Sequence, residues 1–180
     1  MNNFGRISIA ALAVLAASTS FAQSSTALNG FTINAGGFYT FDRSLRNATS
    51  DFGWMLGLEY KLPSNFMGNG GSAGFVPSIA VTYGQQGSGN RYSFFAAELV
   101  GRTTPTATSG MPLYFGGAIG AYFNEGRNAG NSEKVTRIGG RIFVGSQVSS
   151  QARVEAGFRF SGSVQGTNTN GAFIQVGFNF

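Results

Sequence analysis

Cysteine and histidine are both missing from the 180 residues, and charge is scarce. Without Cys there is no disulfide framework, no thiolate metal site, no thiol nucleophile and no acceptor for amino-terminal lipidation. Without either residue only oxygen donors are left for a metal, and no Asp/Asn-rich loop has the spacing of a calcium site. No metal and no cofactor are expected. Asp, Glu, Lys and Arg make up 11% of the chain, where a soluble domain of this size carries about a quarter. After residue 22 no run approaches the roughly 20 apolar residues of a transmembrane helix, which excludes a helical membrane protein.

Glycine and aromatic residues are plentiful instead, with 28 Gly and 14% Phe, Trp and Tyr. The first 22 residues read as a secretory signal peptide. Residues 1–5 with Arg6 form a short basic region, residues 7–17 an apolar run too short to span a bilayer, and Ser20-Phe21-Ala22 a small-x-small cleavage site. Cleavage after Ala22 leaves a polar leader over 23–30 and then the body of the protein, 31–180.

The body alternates. Its last ten residues, Gly171 to Phe180, place Ala172, Ile174, Val176, Phe178 and Phe180 on one parity and Phe173, Gln175, Gly177 and Asn179 on the other. A strand sends alternate side chains to opposite faces, so one face is wholly apolar and the other is mostly small or polar. The same pattern recurs over 31–42, 52–62, 75–83, 91–102, 111–124, 137–144 and 152–160, separated by Gly/Asn/Ser-rich connections. The connections expected at 43–50, 63–74, 84–90, 103–110, 125–133, 146–150 and 162–170 are polar or glycine-rich. Eight alternating segments of about ten residues form the period of an antiparallel transmembrane β-barrel, all-β and up-and-down.

The charges decide which face meets what. Glu59, Lys61, Glu98, Arg102, Arg137, Arg141, Arg153, Glu155 and Arg159 all lie on the parity opposite the apolar face. That assigns them to a lumen. Eight strands enclose an interior just wide enough for side chains to fill, and ions there need partners. Three glutamates against six cations leave a positive surplus, which implies water or an anionic guest inside. With both termini at the periplasmic end, Phe31, Tyr60, Phe75, Phe115 and Phe180 fall near that rim, and Tyr39, Phe41, Phe52, Trp54, Tyr83, Phe123 and Phe160 near the other. Two such girdles suit the two interfaces of a bilayer. Arg43, Arg46, Arg91, Arg127 and Lys134 gather at or near the outer rim, where they could meet lipopolysaccharide phosphates, although Asp42, Asp51, Glu125 and Glu133 share it.

On these residues the chain resembles the small eight-stranded outer-membrane barrels: the transmembrane domain of outer membrane protein A, outer membrane protein X, the neisserial surface protein and the opacity-like proteins. The resemblance covers the mature chain and includes the end Ile174-Gln175-Val176-Gly177-Phe178-Asn179-Phe180. It implies residence in the bacterial outer membrane as a monomer, contact with lipid and lipopolysaccharide, and recognition by the barrel-assembly machinery through Ile174, Val176, Phe178 and Phe180. Enzymes that this barrel size resembles, the lipid A deacylases and palmitoyl-transferases, use a His-assisted Ser, which this chain cannot assemble. Asp42 with Asp51 is the one candidate acid pair, and it reads as solvated loop acids. The basic balance does not point to nucleic acid, because most of the Arg residues face the lumen.

Three functions remain open on sequence. The leading one is a non-enzymatic barrel with a structural or surface-interaction role in the envelope. The second is a narrow pore or carrier for anionic or small polar solutes along the Arg-lined lumen. The third is a soluble periplasmic barrel that binds an apolar ligand.

Overall fold

The computed structural model describes residues 30–63, 74–103, 106–108, 111–128 and 130–180. The expected signal peptide, all of the leader except Gly30, and most of the connection at 63–74 lie outside the described residues. In chain order the elements are β1 (Phe31–Thr40), α1 (Arg43–Ala48), β2 (Gly53–Lys61), β3 (Phe75–Gly87), β4 (Arg91–Thr103) and β5 (Thr106–Thr108). They continue with β6 (Met111–Asn128), β7 (Asn131–Gln147), β8 (Ala152–Phe160), β9 (Ser163–Val164), β10 (Thr167–Asn168) and β11 (Gly171–Asn179).

Eight of these strands close into an antiparallel barrel in the order β1-β2-β3-β4-β6-β7-β8-β11, with β11 returning to β1. The register can be followed once around. Phe143 on β7 faces Gly157, then Phe173, Phe38, Gly53, Gln86, Tyr92 and Gly126 in turn, and Gly126 faces Glu133, back on β7. Ten residues separate start from finish, a stagger that tilts eight strands by roughly 40°. Closure pairs the backbone all the way round. Gly30, Phe31 and Phe180 complete the seam, since Phe180 N–H donates to the Phe31 carbonyl at 2.9 Å and Gly30 N–H to the Phe180 carbonyl at 3.0 Å.

Parity holds through the wall. Met55, Glu59, Tyr92, Phe94, Glu98, Tyr122, Arg141, Phe143 and Glu155 are buried inside, while Leu56, Leu58, Ile79, Leu99, Ile119, Ile142 and Ile174 are exposed outside. The narrow interior mates rings with glycines across the register. Gly84 faces Phe94 and Gly116 faces Phe143, and a Cβ at either glycine would lie 2.3 Å from the opposite ring. The small residues on the inner face are therefore sockets for aromatic side chains.

Several connections are more ordered than the sequence suggested. The stretch 125–133 is no loop, because β6 and β7 stay paired as far as Asn128 and Asn131, with Gly130 at φ +92 in the turn. Thr106–Thr108, expected in a loop, pairs with Met111–Leu113. Residues 43–48 form a helix because Asp42 caps it, accepting from the backbone N–H of Ser44 at 2.8 Å and of Leu45 at 3.3 Å. Six residues are too few to reveal a helical period. Within 162–170, β9 and β10 make a small hairpin.

Candidate functional site

The lumen holds two charged storeys. In the storey at the barrel end that carries Phe31 and Phe180, β2 supplies Glu59, β4 Arg102, and β8 both Arg153 and Glu155. The Arg102 guanidinium grips Glu59 through both terminal nitrogens, the Nη2 bond being 2.9 Å, and donates through Nε to Glu155 at 2.7 Å. Arg153 Nη2 donates to Glu59 at 2.7 Å, and its Nε lies 3.2 Å from Glu155. Tyr114 OH and Gln175 Nε2 complete the shell of Glu155 at 2.9 and 2.6 Å. Two carboxylates face two guanidinium groups, so this storey is neutral.

The storey beyond it is different. Glu98 on β4 accepts from the Tyr122 hydroxyl and lies 3.1 Å from Arg141 Nε. Arg159 stands directly opposite Arg141 in the β7–β8 register. Its guanidinium has no carboxylate within ion-pair distance among the described residues. It rests on ring faces, 3.9 Å from the centre of Phe94 and 4.5 Å from that of Phe38, and Nη2 donates to the Thr169 carbonyl at 3.3 Å. One carboxylate faces two cations here. Beside them is a cavity of about 10 Å³ whose walls include Thr82, Phe94, Glu98, Tyr122, Arg141 and Arg159.

The far mouth of the barrel is filled. Leu45 of α1 and Val164 of β9 are buried in the same core as the luminal rings. A relay of hydrogen bonds runs from Tyr92 OH to Asn124 at 2.8 Å and from Asn124 to the Ser161 carbonyl at 2.9 Å. Asp42 joins the two covers by accepting from Asn168 N–H at 3.0 Å, and Glu133 accepts from Gln165 N–H at 2.6 Å. Asp42 is thus a partly exposed cap and tie as well as a loop acid. The Ser44 hydroxyl bond above all, with the backbone bonds from Asn168, Leu45 and Ser44, holds its carboxyl below the usual carboxylate range. Asp51 stays exposed, with Arg46 Nε 3.8 Å away.

Of the nine charged residues assigned to the lumen, seven are buried there: Glu59, Glu98, Arg102, Arg141, Arg153, Glu155 and Arg159. Lys61 and Arg137 are not. Lys61 is the last residue of β2 and is exposed at the rim. Arg137 lies on β7 beyond Gly140, whose partner Phe160 ends β8, so it stands clear of the wall and is exposed. The luminal surplus therefore falls from three positive charges to one. The inner aromatics Phe38, Tyr92, Phe94, Tyr114, Tyr122, Phe143 and Phe173 had no assigned role, although they share the parity of the charges.

The outer aromatics fall in two groups. Phe31 and Tyr60 touch near the Phe180 end of the barrel, with ring centres 4.8 Å apart, and Phe75 and Phe115 are exposed at the same end. Toward the far end Tyr39 meets Phe41 and Phe52, Trp54 meets Tyr83, and Phe95 meets Phe123. Phe160 is exposed there too, and Phe158, which packs on Phe41, joins the group unexpectedly. Ile174, Val176, Phe178 and Phe180 share the outward face at the seam. Of the far-rim cations, Arg46 is committed to the carbonyls of Thr40 and Phe41, both at 2.7 Å, and to the Tyr39 ring. Arg91 and Lys134 lie 3.6 and 4.0 Å from Glu125, while Arg43 and Arg127 are exposed.

No family model matches the chain, and no curated protein matches it. Solved structures do. The crystal structure of Neisserial surface protein A superposes with a TM-score of 0.53 at 13% identity, covering 84% of this chain and 98% of that one. The N-terminal β-barrel domain of Pseudomonas aeruginosa OprF superposes with a TM-score of 0.52 at 11% identity, covering 84% and 98%. At such identities the likeness is one of fold, and that fold is the closed eight-stranded barrel.

Proposed function

We propose that this chain is a non-enzymatic barrel of the bacterial outer membrane with a structural or surface-interaction role, its lumen packed rather than conducting. The observation that carries this reading is the pairing of an apolar exterior with a filled interior. Outward from Leu113 to Phe123, β6 carries only Leu, Phe, Gly, Ile, Ala and Phe, and at the usual rise and tilt this band is about 25 Å tall. A soluble barrel would spread its charges over such a surface. A porin-like role would need an open lumen, whereas one mouth here is covered by α1 and the β9–β10 hairpin. The chain also lacks the His on which the enzymes of similar size rely.

Two partners follow from the same reading. Of the far-rim cations, Arg43, Arg127 and Lys134 are exposed and suit the phosphates of lipopolysaccharide, as does Arg137 beside them, whereas Arg46 and Arg91 are less available. The outward series Ile174, Val176, Phe178 and Phe180, on the strand that closes the barrel, suits recognition by the assembly machinery. Fractionation tests the membrane assignment directly: the native chain should resist alkaline extraction, dissolve in detergent and migrate faster unheated than boiled. Release by alkali in folded form would overturn it. Deleting Phe180 should lower the amount assembled in cells several-fold while refolding into detergent is retained; unchanged assembly would remove the signal role.

A further inference from the structure

The charge imbalance of the lumen is confined to one place. The storey at the Phe31 and Phe180 end balances Glu59 and Glu155 against Arg102 and Arg153. The storey beyond has Glu98 against Arg141 and Arg159, and the residual positive charge sits beside the cavity. Arg159 is only 4% exposed. Among the described residues its Nε and Nη1 have no hydrogen-bond partner, and it lies directly across the register from a second guanidinium. Like charges opposite each other repel, and an uncompensated ion in a dry interior is costly. The rings of Phe94 and Phe38 offset part of that cost, but they present no lone-pair acceptor to the idle Nε and Nη1.

We propose that this cavity binds a single small monovalent anion of halide size, held by Arg159 and Arg141. A water molecule could accept from Nε and Nη1 but would leave the charge in place. A cavity of about 10 Å³ holds roughly one water-sized particle; a chloride or bromide is somewhat larger and enters with a small outward shift of the two guanidinium groups, whereas the polyatomic sulfate, phosphate and carboxylates need far more room. Glu98 does not displace the guest, because its oxygens already face Arg141 and the Tyr122 hydroxyl. The anion serves as a structural ligand that neutralises the lumen. The inference rests on burial and charge count, and it stands whether or not the barrel conducts.

The test uses the full chain extracted from membranes in detergent, with sodium bromide compared against sodium gluconate at equal ionic strength. Gluconate cannot enter a space of this size. Bromide should raise the melting temperature by about 2–5 °C, as a ligand bound to the folded state alone does, and the shift should vanish in Arg159→Met. Crystals grown in bromide should show anomalous density beside Arg159. Equal melting in the two salts, a shift that persists in Arg159→Met, or bromide only at surface arginines would overturn the proposal. Should Arg159→Met fail to fold, the bromide density of the unmodified chain decides alone, since its presence beside Arg159 supports the site and its absence removes it.

Discussion

Glu155 is the most heavily partnered carboxylate in the lumen, receiving Arg102, Arg153, Tyr114 and Gln175. Replacing one member of a buried ion cluster leaves the others charged and unpaired. Glu155→Gln should therefore destabilise the barrel by about 3–5 kcal/mol, read as a shift in urea unfolding from lipid vesicles. Tyr114→Phe, which removes one donor and no charge, should cost about 1 kcal/mol. Equal effects from both would mean that the ions are not held as a network. Parity alone made seven of the charged luminal residues legible in the sequence. It misassigned Lys61 and Arg137 because their place depends on where neighbouring strands end, and strand length does not appear in alternation. The unpaired state of Arg159 was equally hidden, since partner choice depends on register around the whole barrel.

The covers at the far mouth make predictions of their own. Asp42 caps α1 and ties it to β10, and its carboxyl is held below the ordinary range chiefly by the Ser44 hydroxyl. A group with a lowered folded pKa stabilises fully above its unfolded value, about 4, and loses that contribution as the pH falls through the folded value. Below about pH 4 the covers should loosen while the wall persists, so pepsin should cut within 43–50 or 162–170 before the sheet signal in circular dichroism changes. Asp42→Ala should produce the same opening at neutral pH, losing about 1 kcal/mol of capping. Cleavage that tracks global unfolding would refute the separation of cover from wall. The wall has its own test in Gly84→Ala, whose new methyl meets the Phe94 ring at 2.3 Å and should cost about 1–3 kcal/mol by overpacking. Neither α1 nor the β9–β10 hairpin could be read from the sequence. A six-residue helix makes fewer than two turns and a two-residue strand a single alternation, too few repeats for a pattern to show.

The whole molecule was the most legible of the three scales. Eight alternating segments with an uncharged apolar face point to a closed barrel, and each of the eight segments contributes one wall strand. The stagger of ten residues and the extended β6–β7 hairpin were not legible, because they arise from strand pairing. That hairpin carries β7 past the end of β8 and leaves Ile138 85% exposed. The barrel is thus uneven in height, with its far end shaped by one tall hairpin and two covers.

Single-channel recording of the chain refolded into planar bilayers, with insertion verified independently, tests the packed lumen most directly. The paired ions and the covered mouth predict a silent bilayer for the unmodified chain at neutral pH, and for Arg159→Gln as well. Steady conductance in the unmodified chain, with an ion preference that changes in Arg159→Gln, would contradict the account and make the lumen a transport path.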